Sequence, residues 1–164
     1  MELTDVVTDV VAGLPPHIIE GQKKDGTRFQ LFVEYAGLCE QQTPGVALAH
    51  RISAILPEIN GRTVRAEVAY LDFAPERLEQ FAQMHLGYTF VRESYRGIGV
   101  FRSLYDAFLD IGHGVFPEGF RVFMEVDRTS RTMMHFAASH LYSRVGNSEG
   151  FIHYQLFVPP KPSE

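Results

Sequence analysis

Residues 90–104 read FVRESYRGIGVFRSL, and a change of pattern inside this stretch decides how the chain is laid out. Before it, Tyr88 to Arg92 read as a strand. After it, Val100, Phe101, Leu104, Tyr105, Phe108 and Leu109 recur at the spacing of one helical face. Gly97 and Gly99 stand at the junction, so a glycine-bearing turn at Arg96 to Phe101 joins a strand to an amphipathic helix. A helix start presents N–H groups without intrahelical partners and the positive end of the helix dipole, and glycines let an anion approach that backbone with no Cβ in the way. Such a turn suits a pyrophosphate, with Arg96 adding a charge-assisted contact. The Lys-Ser/Thr ending of a nucleotide-hydrolysing loop is missing, and so is the full glycine spacing of a dinucleotide fold, because Phe101 and Arg102 follow Val100. For two glycines taken in isolation, a plain tight turn is the alternative.

Downstream, Gly112 and Gly114 punctuate the helix, and Val122, Met124 and Val126 alternate as a strand. Strand, helix and strand at this separation predict a parallel, right-handed βαβ unit. Met134, Ala137, Ala138, Leu141 and Val145 then predict another helix, and Ile152, Tyr154, Leu156 and Val158 a last strand, before a loose tail over 159–164. Upstream, Pro75 predicts the start of a short helix carrying Leu78, Phe81, Ala82 and Leu86, interrupted by Gly87. The Asn60–Gly61 turn opens a strand in which Val64, Ala66, Val68 and Tyr70 share a face. Thr43 and Pro44 read as a helix start, with Leu48, Ala49, Ile52, Ile55 and Leu56 as its stripe and Pro57 as its stop. Phe29, Leu31, Val33 and Tyr35 form the second strand of a hairpin that turns at Lys23 to Gly26. In the segment 1–15, Leu3, Val6, Val7, Val10, Val11 and Leu14 lie at helical spacing, while the valines leave a strand open.

A chain of 164 residues buries one sizeable core, so a single domain over 1–164 is expected, with neither internal repeat nor linker. Its 45% hydrophobic and 21% charged residues are the balance of a globular protein. Absence of a signal-peptide pattern and of a run of roughly 20 apolar residues points to no membrane partner and a cytoplasmic location. The net charge of −5 argues against a nucleic-acid partner. Cys39 is the only cysteine, which excludes an internal disulfide and a cysteine zinc site and leaves it as a small buried hydrophobe. The seven histidines show no HExxH spacing, and His135 and His140 are five apart, so no metal is expected.

On the residues 90–104, the chain resembles the GCN5-related N-acetyltransferases, whose acyl-CoA motif reads Arg/Gln-x-x-Gly-x-Gly/Ala. Arg96 and Gly99 match it, and Phe101 stands where the family carries a small residue, which places a bulky ring beside the turn. A second stretch, HFAASHLYSRVGN, fits the family's Asn-x-x-Ala-x-x-x-Tyr helix followed by Gly-Phe at Ala138, Tyr142 and Gly146, with His135 for the asparagine and Asn147 for the phenylalanine. The resemblance implies an α/β fold: a central mixed, mostly antiparallel sheet flanked by helices, splayed near the Tyr88 to Arg92 strand. The predicted helix at Leu78 to Leu86 departs from the family, which passes between those strands by a short turn.

The activity implied is transfer of an acetyl or longer acyl group from acetyl-CoA, or another acyl-CoA, to an amine by direct attack, without a metal. The turn Arg96, Gly97, Ile98, Gly99, Val100, Phe101 holds the pyrophosphate, the backbone of Val91 and Arg92 holds the pantetheine arm, and Tyr142 protonates the leaving thiolate. Tyr142 read without the family is an aromatic residue at a helix end with its hydroxyl in water. An attacking amine must be neutral, for which Glu93 and Glu125 are the candidate bases. The acceptor is a small-molecule or peptide amine, and a homodimer is compatible with the sequence. Two rival readings stand beside this one: an acyltransferase using acyl-carrier protein, and a catalytically inactive ligand-binding or protein-interaction module.

Overall fold

The computed structural model describes residues 2–40, 48–57 and 65–162. Among them the element order is α1 (Leu3–Gly13), β1 (His17–Gln22), β2 (Arg28–Glu40), β3 (Leu48–Leu56), β4 (Ala66–Arg77), β5 (Ala82–Val91), a 3-10 turn (Glu93–Tyr95), α2 (Val100–Val115), β6 (Phe120–Asp127), α3 (Arg131–Ser139), β7 (Ser143–Ser148) and β8 (Phe151–Val158). The strands form one sheet in the order β1-β2-β3-β4-β5-β6-β8-β7. Every pairing is antiparallel except β5 with β6, so the expected mixed, mostly antiparallel sheet and its parallel βαβ unit are present.

One face of the sheet carries the core. Helix α2 lies against β3 and β4, and α1 lies on α2. Phe73 of β4 meets Phe108 of α2 edge to face, with ring centroids 5.8 Å apart, and both are fully buried. The valine-rich N-terminal segment is helical because its apolar face finds this support: Val7 is fully buried, and Val10 lies so close to Gly114 that a Cβ there would overlap it. Gly112 and Gly114 therefore do not break α2 but allow Phe120 and Val10 to approach it.

Two predicted helices are strands. Residues 48–56 form β3, held between β2 and β4, although their Ala, Ile and Leu positions also fit a helical stripe. The strand buries His50 and Ser53 along with Ile52 and Ala54, so its apolar residues do not alternate with exposed ones. Residues 75–86 are likewise not a helix. Pro75 lies in β4 opposite Met84 of β5, and the two strands turn through Glu79-Gln80, with Leu78 and Phe81 exchanging backbone hydrogen bonds of 2.9 and 3.3 Å. This short turn removes the expected departure from the family's strand order. Both faces of Ala82 to Leu86 are buried, which erases the period-two signal. Thr43, Pro44, Asn60, Gly61 and Val64 lie outside the described residues.

The third correction concerns the last predicted helix, which stops at Ser139. Leu141 takes a left-handed φ of 64°, and the N–H groups of Leu141 and Tyr142 donate back to Ala138 and Ala137 at 3.3 and 2.9 Å. This is the Schellman closure, with leucine where glycine is usual. It turns Tyr142 inward and releases Val145 into the edge strand β7.

Candidate functional site

Strands β5 and β6 pair only from Gln83 to Leu86 and from Arg121 to Met124. Beyond that point β5 continues to Val91 and β6 to Asp127, and the two part. The parting has a local cause: Leu71 and Phe73 of β4 pair with Thr89 and Leu86, so Gly87 and Tyr88 together oppose Asp72 alone. An extra residue at that place bends the strand immediately after its last pair with β6. Gly87, expected to interrupt a helix, lies in this bulge.

The far end of β5 has a free edge. Arg92 donates its N–H to Val68 at 2.8 Å and Val91 pairs with Ala69, so by strand alternation the N–H and C=O of Val91 face away from β4, toward the parting. The Val91 carbonyl accepts from Arg96 Nε at 2.8 Å. Of the two expected strand contacts, Val91 thus presents its N–H, whereas that of Arg92 is engaged.

After the 3-10 turn, Gly97 and Gly99 adopt φ of 74° and 91°, a region costly for other residues. Both are exposed, and a Cβ on Gly99 would meet open space. Gly99 caps α2 without a side-chain hydrogen bond, and the first backbone donation into this turn is from Ser103 to Gly99 at 3.1 Å. Among the described residues, the N–H groups from Gly97 through Arg102 donate no backbone–backbone hydrogen bond of good geometry outside the helix. A run of donors without helical partners at a helix start, with exposed glycines at its head, is the arrangement that binds an anion.

Beside this turn lies a cleft of about 750 Å³. Its walls are the end of β5 (Thr89, Phe90, Val91), the turn and the start of α2 (Arg96, Gly97, Gly99, Val100, Phe101), and one side of α3 (Ser130, Thr132, Met133, His135, Phe136, Ser139). The structure brings Val91, Arg96, Gly97, Gly99, Val100 and Phe101 together in these walls, while Arg92, Ile98 and Tyr142 are not among the lining residues. The α3 wall is set by capping: Ser130 Oγ accepts from the Met133 N–H at 3.4 Å, and Asp127 holds the preceding turn through Thr129. Phe101 does not fill the turn. Its ring packs edge to face on Phe136 at 5.0 Å, joining α2 to α3.

Tyr142 is buried behind this wall. Its hydroxyl is 2.6 Å from that of Tyr105, and its ring lies 6.2 Å from Phe136. Burial raises the pKa of both phenols, and for Tyr142 the neighbouring Tyr105 raises it further. Of the candidate bases, Glu93 is exposed on the 3-10 turn. Glu125 follows the last β6 residue paired with β5, on the sheet face opposite the buried Met124 and Val126, and its carboxylate is 3.8 Å from His153 Nε2. His153 also bonds Ser148 Oγ at 2.9 Å.

Several lining residues, Lys24 and Phe136 among them, were not read from the sequence as part of a site. Lys24, in the β1–β2 turn, reaches the cleft from a segment remote in the sequence from the glycines, and only the three-dimensional fold joins the two. Cys39 is half-buried, its thiol 3.5 Å from the Ala49 carbonyl. Among the described residues, no cluster of three or more His, Cys, Asp or Glu has metal-binding geometry, and no helix is long and apolar enough to cross a membrane.

No family model matches the chain, and no curated protein sequence matches it. Solved structures do. The NatC complex bound to Gag peptide and CoA contains a chain with a TM-score of 0.53, at 12% identity over 68% of this chain and 71% of that one. NAA60 of Arabidopsis thaliana, in complex with a bisubstrate analogue, aligns with a TM-score of 0.53, 13% identity and coverage of 69% and 77%. An acetyltransferase from Thermus thermophilus aligns with a TM-score of 0.53, 18% identity and coverage of 67% and 64%. The chain has the fold of the GCN5-related N-acetyltransferases.

Proposed function

We propose that the chain is an acyl-CoA-dependent N-acyltransferase, and the observation that carries this is the run of backbone donors without helical partners from Gly97 to Arg102 beside a cleft that continues along the free edge of β5. The residues present fit the co-substrate. The donors and Arg96 receive the pyrophosphate, the Val91 N–H receives the pantetheine arm, and the parting of β5 from β6 admits the reactive end. When bound, acyl-CoA supplies the acyl group as a thioester. The solved CoA-bound relatives support this reading at the level of the fold.

The acceptor is an amine, of a small molecule or a peptide, approaching from the sheet face that carries Glu125. That carboxylate takes the proton the amine must lose, with His153 Nε2 3.8 Å away as the neighbour that stabilises its charge when protonated. Much of the rate would come from holding amine and carbonyl in attack geometry. The family pattern makes Tyr142 the donor of a proton to the leaving thiolate. A specific observation favours a second reading of this residue: with its hydroxyl on Tyr105, its raised pKa and no place in the cleft wall, Tyr142 braces α2 against α3.

Thermal unfolding with increasing acetyl-CoA tests the proposal. A ligand at one hundred times its Kd stabilises the folded state by about 2.7 kcal/mol, which the wild type shows and an Arg96→Ala variant shows only at higher ligand concentration. If no acyl-CoA shifts the transition, the chain does not use such a donor. Stabilisation without turnover on any amine would instead favour the inactive ligand-binding module.

A further inference from the structure

The turn between β1 and β2 is built to stand against the glycine turn. Lys23 accepts a hydrogen bond from Gly26 and donates one to Thr27, at 2.9 and 2.8 Å, while Asp25 Oδ1 accepts from the Thr27 N–H at 2.9 Å. Phe29, at the start of β2, packs edge to face on Tyr95 of the 3-10 turn with centroids 5.2 Å apart, and Lys23 Nζ lies 4.8 Å from the centre of the same ring. These contacts hold the hairpin at the cleft mouth. Lys24 Nζ there lies 3.7 Å from where a Cβ on Gly97 would be. Among the described residues, no carboxylate lies within ion-pair distance of Lys24.

Lys24 thus stands beside a helix N-terminus with Arg96 on the same turn, which gathers positive charge at one place. In a chain of net charge −5, such a cluster, with Lys24 in no ion pair among the described residues, is matched by a ligand with several negative charges. The two thioester donors in question differ in this respect. A CoA thioester carries a pyrophosphate and a ribose phosphate. A carrier-protein thioester carries one phosphodiester, and its protein body must approach the mouth where the β1–β2 turn stands.

We propose that Lys24 is a specificity-determining residue of the donor site, selecting a thioester that bears nucleotide phosphates over one held on the phosphopantetheine of a carrier protein. The assignment rests on the acyl-CoA reading above and extends it to an element outside the glycine motif. Lys24 binds and orients the phosphates and takes no part in bond making.

Isothermal titration of the full chain with acetyl-CoA and with acetyl-4′-phosphopantetheine tests this. The expected result is that Lys24→Gln weakens acetyl-CoA binding about tenfold, that Lys24→Arg retains it, and that phosphopantetheine binding changes less than about twofold in either variant. The salt dependence of acetyl-CoA binding should also be shallower in Lys24→Gln. Wild-type affinity of Lys24→Gln for acetyl-CoA, or an equal loss for both ligands, would overturn the selective role while leaving the acyl-CoA reading in place. Failure of the wild type to bind either ligand would remove that reading and this one together. Lys24 is a turn residue, so an unchanged melting temperature of the ligand-free variant shows that folding is unaffected.

Discussion

Gly99 combines a φ of 91° with open space around its missing Cβ, and on the proposed reading it leaves backbone donors uncovered. Replacing it with valine would place a branched side chain over those donors and cost about 1–2 kcal/mol of stability through backbone strain. Acetyl-CoA titration of Gly99→Val should show affinity falling by more than the loss of stability accounts for. Tyr142 invites a different experiment. If it braces α2 to α3, Tyr142→Phe lowers stability by about 1–2 kcal/mol in urea unfolding and leaves kcat within a few-fold of wild type. A drop in kcat of about a hundredfold, with its pH profile changed, would make Tyr142 the proton donor instead. The glycines and Arg96 were legible because their chemistry is local to one turn. Lys24 and Phe136 were not, since the hairpin and α3 reach the cleft only through tertiary packing.

At the scale of the element, what the sequence concealed has a common cause. Strand β3 and the start of β5 are covered on both faces, so polar His50, Ser53, Gln83 and His85 are as buried as their apolar neighbours and alternation vanishes. The β4–β5 turn uses Glu79-Gln80, without the glycine or asparagine that marks a tight hairpin. Helix α2 and strand β6 were readable because each buries one face only and keeps its period. The end of α3 was misread for want of a glycine, as Leu141 occupies the left-handed position. That position gives a prediction. Leu141 is 81% exposed, so Leu141→Gly relieves the strain without removing core packing and should stabilise the protein by about 1 kcal/mol in thermal or urea unfolding.

For the whole molecule, the sheet is both scaffold and source of pH dependence. His50 and His85 are buried, and desolvation lowers the pKa of each, as it does for His113. A lowered folded-state pKa means that the unfolded chain binds the proton more readily. Stability is therefore fully present above about pH 6.5 and lost as pH falls below it, by up to about 1.4 kcal/mol per pH unit for each histidine involved. Urea midpoints between about pH 7.5 and 5 should decline, and the decline should be shallower in His85→Gln. The architecture itself followed from one βαβ unit and its flanking hairpins, and on the proposed reading the parting of β5 from β6 admits the acyl-CoA. The most direct test of that site is the backbone amide NMR spectrum on adding acetyl-CoA. The amides of Gly97 to Arg102, with that of Val91, should shift together and saturably; a spectrum in which these signals stay in place while others move would contradict the account.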